Sequence, residues 1–200
     1  MDWRYLMYKD MAGLLKDREI GDWNLTHFTI DPDNLGAKMQ GIAPGTYVRL
    51  MNKGEIVMSN TNMEKRTNSD FCYHVHGNVL IGGLGIGMIV LAIQDKEEVK
   101  SITVIEKNQE VIDMVASQLN FNDKVKIVHA DVFEWKPDKG IKFDVSYMDI
   151  WNWVNEDIYE KEMKPLKRKF TRFLKPTTEN PKRYNKCWAE FHAKTGRRLA

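Results

Sequence analysis

The sequence predicts an α/β fold: a shortened, mostly parallel sheet with flanking helices, preceded by a small N-terminal region of one helix and a β-hairpin. Three observations predict it. A short apolar run, Val79-Leu80-Ile81, leads into a turn carrying Gly83, Gly85 and Gly87, and an apolar stretch from Met88 to Ile93 follows with helical length. Three more runs, Ile102 to Ile105, Val125 to Val128 and Phe143 to Met148, are separated by enough chain for strand and helix to alternate. Each of these runs leads to an acid, Glu106, Asp131 and Asp149 in turn. Strands joined by helical crossovers lie parallel, and ligands of such sheets bind at the carboxyl ends of the strands.

Taken in order, Trp3, Leu6, Met7, Met11, Leu14 and Leu15 recur at helical spacing, which predicts an amphipathic helix over residues 2 to 18, closed near Gly21. Trp23 to Ile30 reads as short extended or irregular chain before the Asp31-Pro-Asp-Asn34 turn. Thr46 to Met51 and Glu55 to Met58 flank Asn52-Lys53-Gly54, the turn chemistry of a β-hairpin. Residues 64 to 76 predict a helix delivering the chain to the first core strand. Val111, Ile112, Val115 and Leu119 give a helix face after the second strand, and Glu160 to Leu174 a basic helix stopped by Lys175-Pro176. Residues 177 to 200 contain no β-branched strand pair, so the sheet is expected to end early and its last strand to need cover from the tail or from a second copy. This organisation divides the chain into an N-terminal region (1–77), a core (78–176) and a basic tail (177–200).

With 42% hydrophobic residues, the chain can bury a sizeable core. No apolar run approaches the roughly 20 residues of a membrane span. No charged, apolar secretory leader is visible at the N-terminus, so a cytoplasmic protein is expected. Cys72 and Cys187 lack a C-x-x-C partner, and His74-Val-His76 has no adjacent carboxylate, so neither a disulfide nor a metal site is expected. Net charge is +2, yet residues 161–200 hold thirteen Lys and Arg against three Glu, which leaves the first 160 net negative. A basic end with interleaved aromatics can contact nucleic acid. A solvated amphipathic helix whose aromatics pack on the core is the simpler account, and a small-molecule partner is preferred over RNA or DNA.

The glycine pattern narrows the ligand. A dinucleotide fingerprint, G-x-G-x-x-G, would place its third glycine at Met88, whereas the chain has G-x-G-x-G. A carboxylate at Glu106, one strand over, can accept the two hydroxyls of a ribose. A nucleoside is therefore the expected ligand, and the loop favours an adenosyl group over a pyrophosphate.

These features resemble the class I S-adenosylmethionine-dependent methyltransferases, and within them the spermidine synthase-like branch, over about residues 46 to 176. Val-Leu-Ile-Gly-Gly at 79–83 is similar to that branch's glycine motif, Val104-Ile105-Glu106 to its ribose-binding strand end, Asp131-Val132 to its adenine contact, and Phe143-Asp144-Val145 through Asp149 to its fourth strand. The resemblance implies a Rossmann-like methyltransferase fold, S-adenosylmethionine as cofactor, and Gly83, Leu84, Gly85, Gly87, Glu106, Lys107, Asp131 and Val132 as the residues that hold it. It also places Asp149 on the catalytic face, as the candidate base or nucleophile-orienting acceptor; the aromatic faces of Tyr147, Trp151 and Trp153 are the candidates for walling an aromatic or cationic acceptor. The chain departs from polyamine synthases at Gly85 and Asn152, where those enzymes carry aspartates. Losing both acids weakens a polyamine site. Methyl transfer to a small acceptor is the leading expectation, aminopropyl transfer the second, and a non-catalytic, dimerising adenosyl-binding module the third.

Overall fold

A computed structural model describes residues 6–199. An antiparallel sheet comes first, built from β1 (Arg18–Ile20), β2 (Trp23–Ile30), β3 (Gly45–Asn52) and β4 (Glu55–Ser59) in sequential order. Short helices α1 (Met11–Leu14) and α2 (Leu35–Met39) lie before β1 and between β2 and β3. The hairpin forms as its sequence predicts: Lys53 (φ 50°) and Gly54 (φ 82°) both occupy the left-handed region, which matches the twist of the flanking strands.

The long N-terminal helix does not form. Met11 and Leu15 are buried and Tyr8 nearly so, so their spacing reflects core contacts and not a continuous helix. At Leu15 the backbone turns extended. Lys16 then bonds the Gln118 side chain through both its N–H and its carbonyl, and Arg18–Ile20 pairs with β2. Tertiary bonds thus take the backbone groups that a helix would have used. Trp3 lies outside the described residues.

Helix α3 (Asn62–His74) leads into the second sheet, whose strands β5 (Gly77–Gly82), β6 (Val99–Glu106), β7 (Val125–His129), β8 (Val145–Met148) and β9 (Tyr184–Cys187) are ordered β7-β6-β5-β8-β9. Every pairing is parallel. Helices α4 (Met88–Ile93) and α5 (Gln109–Val115) make the first crossovers. Val79, Leu80 and Ile81 are fully buried, as a central strand covered on both faces requires. After β8 come α6 (Glu156–Ile158), a π-helical turn (Tyr159–Met163) and α7 (Lys164–Thr171), then β9 and α8 (Glu190–Thr195).

Residues 177–200 do contain a strand, although nothing in Tyr-Asn-Lys-Cys announces one. β9 forms because β8 offers an open edge, and Tyr184 and Trp188 bury beside it against Phe71 and Thr67 respectively. The chain covers its own sheet edge, so a second copy is not needed there. Both cysteines are buried and free. No helix among the described residues is long and apolar enough to cross a membrane.

Candidate functional site

One cavity of about 280 Å³ opens where the carboxyl ends of β5, β6, β7 and β8 converge, roofed by side chains of the antiparallel sheet. Its floor is the glycine turn. Gly83, at φ 92°, passes so close to β8 that a Cβ there would sit 2.2 Å from the Asp149 carbonyl oxygen. Only glycine permits this approach. Gly85 (φ 51°) also lines the cavity, while Gly87 is the N-cap of α4 and faces Leu119 and Phe121 instead.

Glu106 ends β6 directly beside this turn and is 6% exposed. Its Oε2 accepts the Leu84 backbone N–H at 2.9 Å, while Oε1 accepts the Asn108 backbone N–H at 2.8 Å and side-chain amide at 3.0 Å. Leu84 contributes that backbone donor and buries its own side chain. Of the roughly four lone-pair sites of a carboxylate three are taken, so Glu106 can hold the loop and still accept one ligand hydroxyl at Oε2. Asp131, after β7, bonds the Phe133 N–H at 2.9 Å and pairs with Lys107 at 2.8 Å. The Lys107 ammonium keeps the Asp131 carboxyl below the usual range. Asp131, Lys107 and the buried Val132 all line the cavity.

Asp149 follows β8 into the cavity wall. Burial raises its carboxyl to about 7, partly opposed by a hydrogen bond from Asn68. Trp151 lines the cavity too, and its Nε1–H donates to Glu162 at 2.7 Å. Two of the expected acceptor-side residues are elsewhere. Tyr147 is buried in the core, stacked on Phe71 with ring centroids 4.2 Å apart, and donates to Asn68 at 2.8 Å. Trp153 is 63% exposed and outside the lining.

Five contributors escape a sequence reading: Trp23, Met58, Glu64, Asn68 and Glu162. Glu64 carried a usable signal, since Thr61-x-x-Glu64 has capping-box spacing. Its carboxyl takes a bond from the Ser59 backbone, and Asn68, one turn on, donates to the Glu64 carbonyl at 3.1 Å. Burial and the Asp149 charge lift the Glu64 carboxyl to about 8. Glu162 gave no signal because the π turn shifts its facing away from the regular period.

The raised carboxyls have a definite stability sign. A carboxyl whose folded pKa exceeds its unfolded one binds more protons in the native state, so its contribution is complete below about pH 4.5 and is lost as pH climbs through about 8. Glu64→Gln is therefore expected to flatten the pH dependence of stability and to raise stability at pH 8.5 by about 2 kcal/mol. Urea melts at pH 5.5 and 8.5 check this; an unchanged pH slope in the variant would exclude Glu64 as its source.

The lining holds four carboxylates, Glu106, Asp131, Asp149 and Glu162, against Lys107, which is already paired. With the faces of Trp23 and Trp151 also present, the cavity suits a positively charged ligand. Among the described residues, no group of three His, Cys, Asp or Glu side chains comes together as a metal site.

No family model matches this chain, and no curated protein does either. Solved structures do. Spermidine synthase from Thermotoga maritima matches over 80% of this chain and 53% of its own, with TM-score 0.50 and 16% identity. The chain shares the fold of this spermidine synthase. The N-methyltransferase NodS from Bradyrhizobium japonicum WM9 matches 57% of this chain and 64% of its own at TM-score 0.43 and 15% identity. An S-adenosylmethionine-dependent methyltransferase from Mesorhizobium loti matches 57% and 52% at TM-score 0.43 and 12% identity. The chain thus spans between half and two thirds of the length of these structures.

Proposed function

We propose that the cavity binds S-adenosylmethionine and that the protein transfers its methyl group to a small-molecule acceptor. The observation that carries this reading is the conjunction, in one cavity, of Glu106 bonded to the Leu84 N–H and Asp149 with a carboxyl raised to about 7. The residues fit the cofactor: a glycine turn whose Gly83 and Gly85 line the cavity without side chains, a strand-end carboxylate for a ribose hydroxyl, and a negative, tryptophan-walled space for a sulfonium. Gly83, Leu84, Gly85, Glu106, Lys107, Asp131 and Val132 would hold it, with Gly87 shaping the loop from behind.

When bound, S-adenosylmethionine supplies an electrophilic methyl carbon. Little more than alignment is then asked of the protein. Asp149, ionised at neutral pH in about half of the molecules, accepts the proton that an acceptor hydroxyl, thiol or ammonium must shed. Trp151, fixed by Glu162, offers a flat wall for that acceptor. Asn68 is a positioning residue for Asp149, tied in turn to the Tyr147 hydroxyl.

Aminopropyl transfer is the second reading, supported by the antiparallel sheet ahead of the core and by the length of chain matched to spermidine synthase. Gly85 and Asn152 weigh against it. An acceptor panel that includes diamines separates the two.

Titration calorimetry with S-adenosylhomocysteine tests the ligand assignment. Glu106→Ala, with folding checked by circular dichroism, is expected to weaken binding about 100-fold or more, because loop donors and a ribose hydroxyl lose their acceptor together. No binding to the unmodified protein at millimolar ligand would sink the proposal.

A further inference from the structure

Leu50, Val57 and Met58 of the antiparallel sheet all reach the cavity, and two of them are sequence neighbours. Successive residues of a regular strand point to opposite faces, so Val57 and Met58 can share the cavity only through an irregularity. The register supplies it: Leu50 pairs with Met58 and Met51 with Ile56, which leaves Val57 as an extra residue in β4. A bulge of this kind re-aims a side chain. Here it sets the Met58 thioether on the glycine loop. The Met58 Sδ accepts the Ile86 backbone N–H at 3.2 Å and lies 2.0 Å from where a Cβ on residue 85 would be. The space that Gly85 leaves open is filled by Met58.

The geometry points to Met58 as the specificity residue of this cavity, a plug that admits a nucleoside with a short, uncharged 5′ thioether directly and one with an amino-acid tail only after swinging aside. This inference rests on the adenosyl reading. With the ribose at Glu106 and the base toward Asp131 and Val132, a ligand's 5′ substituent extends along the loop past Leu84, toward Gly85 and Ile86. There it meets a thioether. No side chain at residue 85 is present to receive an ammonium, and the Ile86 N–H that a carboxylate would take is already engaged. A thioether is a weak acceptor, so a carboxylate can displace it. The side chain is unbranched, with three rotatable bonds, and can leave without disturbing β4. The cost falls on long-tailed ligands alone, as the fraction of molecules with Met58 turned out.

Calorimetry with S-adenosylhomocysteine and 5′-methylthioadenosine, on the wild-type protein, Met58→Ala and Met58→Leu, tests this. The wild type is expected to bind methylthioadenosine at least as tightly as S-adenosylhomocysteine. Met58→Ala should tighten S-adenosylhomocysteine about tenfold and leave methylthioadenosine within about twofold, while Met58→Leu, which keeps the volume, should not. A wild type that prefers S-adenosylhomocysteine tenfold, with no gain in Met58→Ala, overturns the plug and leaves the adenosyl reading standing. Failure of both ligands to bind wild type and variants overturns the adenosyl reading itself. Should Met58→Ala not fold, methionine methyl resonances of the wild type decide: the Met58 signal, assigned through Met58→Leu, should move with S-adenosylhomocysteine and stay with methylthioadenosine. Equal movement with both overturns the inference.

Discussion

Gly83→Ala is expected to destabilise the protein by about 3 kcal/mol or more, whereas Gly140→Ala costs about 1 to 2 kcal/mol. The two glycines have nearly the same backbone angle, φ 92° and φ 90°. An alanine strains both to a similar degree. They differ in what a Cβ would meet: nothing within 4 Å at Gly140, the Asp149 carbonyl oxygen at 2.2 Å at Gly83. That carbonyl cannot retreat cheaply. The Asp149 N–H bonds the Gly82 carbonyl at 2.8 Å, and the preceding residue, Met148, is held by β5 and β9. Relief would require β5 and β8 to part at the centre of the sheet. Urea denaturation of both variants measures the difference, and equal losses would mean that the close approach is not what the glycine is for.

Asp149→Asn is expected to lower kcat by about 100-fold to 10,000-fold while leaving the affinity for S-adenosylhomocysteine within about threefold. The amide keeps the shape of the carboxylate and cannot take a proton at neutral pH. In the unmodified protein, only the ionised carboxylate is competent. With its carboxyl at about 7, kcat should rise with pH, by about tenfold per unit well below 7, and level off above it. Removing a buried charge favours the folded state at alkaline pH, and circular dichroism of the variant at the assay pH separates lost chemistry from unfolding. A variant with full turnover, or a flat pH profile in the unmodified protein, would remove Asp149 from the chemistry.

The parts of the fold legible in the sequence are those where burial and local preference agree. β5 and β8 are short runs buried almost throughout, β6 is buried over most of its length and the edge strand β7 is a β-branched run only partly covered; their ends, with the glycine turn, mark the cavity wall in the sequence itself. Agreement fails at three places. Met11 and Leu15 have helical spacing but bury as isolated contacts, since the adjacent backbone is bonded to Gln118 and to β2. Tyr184 to Cys187 have no strand preference and become one because β8 has a free side. Glu162 sits on a π turn, which no regular period anticipates. At the site the same logic holds. Strand ends could be read, whereas Met58, Glu64 and Asn68 enter through a bulge and a packed helix, and their roles depend on which elements happen to face each other.

Strand β9 has a consequence for how the chain is made. Synthesis is vectorial, so β5 to β8 leave the ribosome before β9 does. In that interval Val145, Tyr147 and Met148, all buried in the finished molecule, border an unpaired edge with free backbone donors and acceptors. Such an edge is a template for pairing between nascent chains. The pairing of Tyr184 to Cys187 with β8 closes that edge once these residues have emerged.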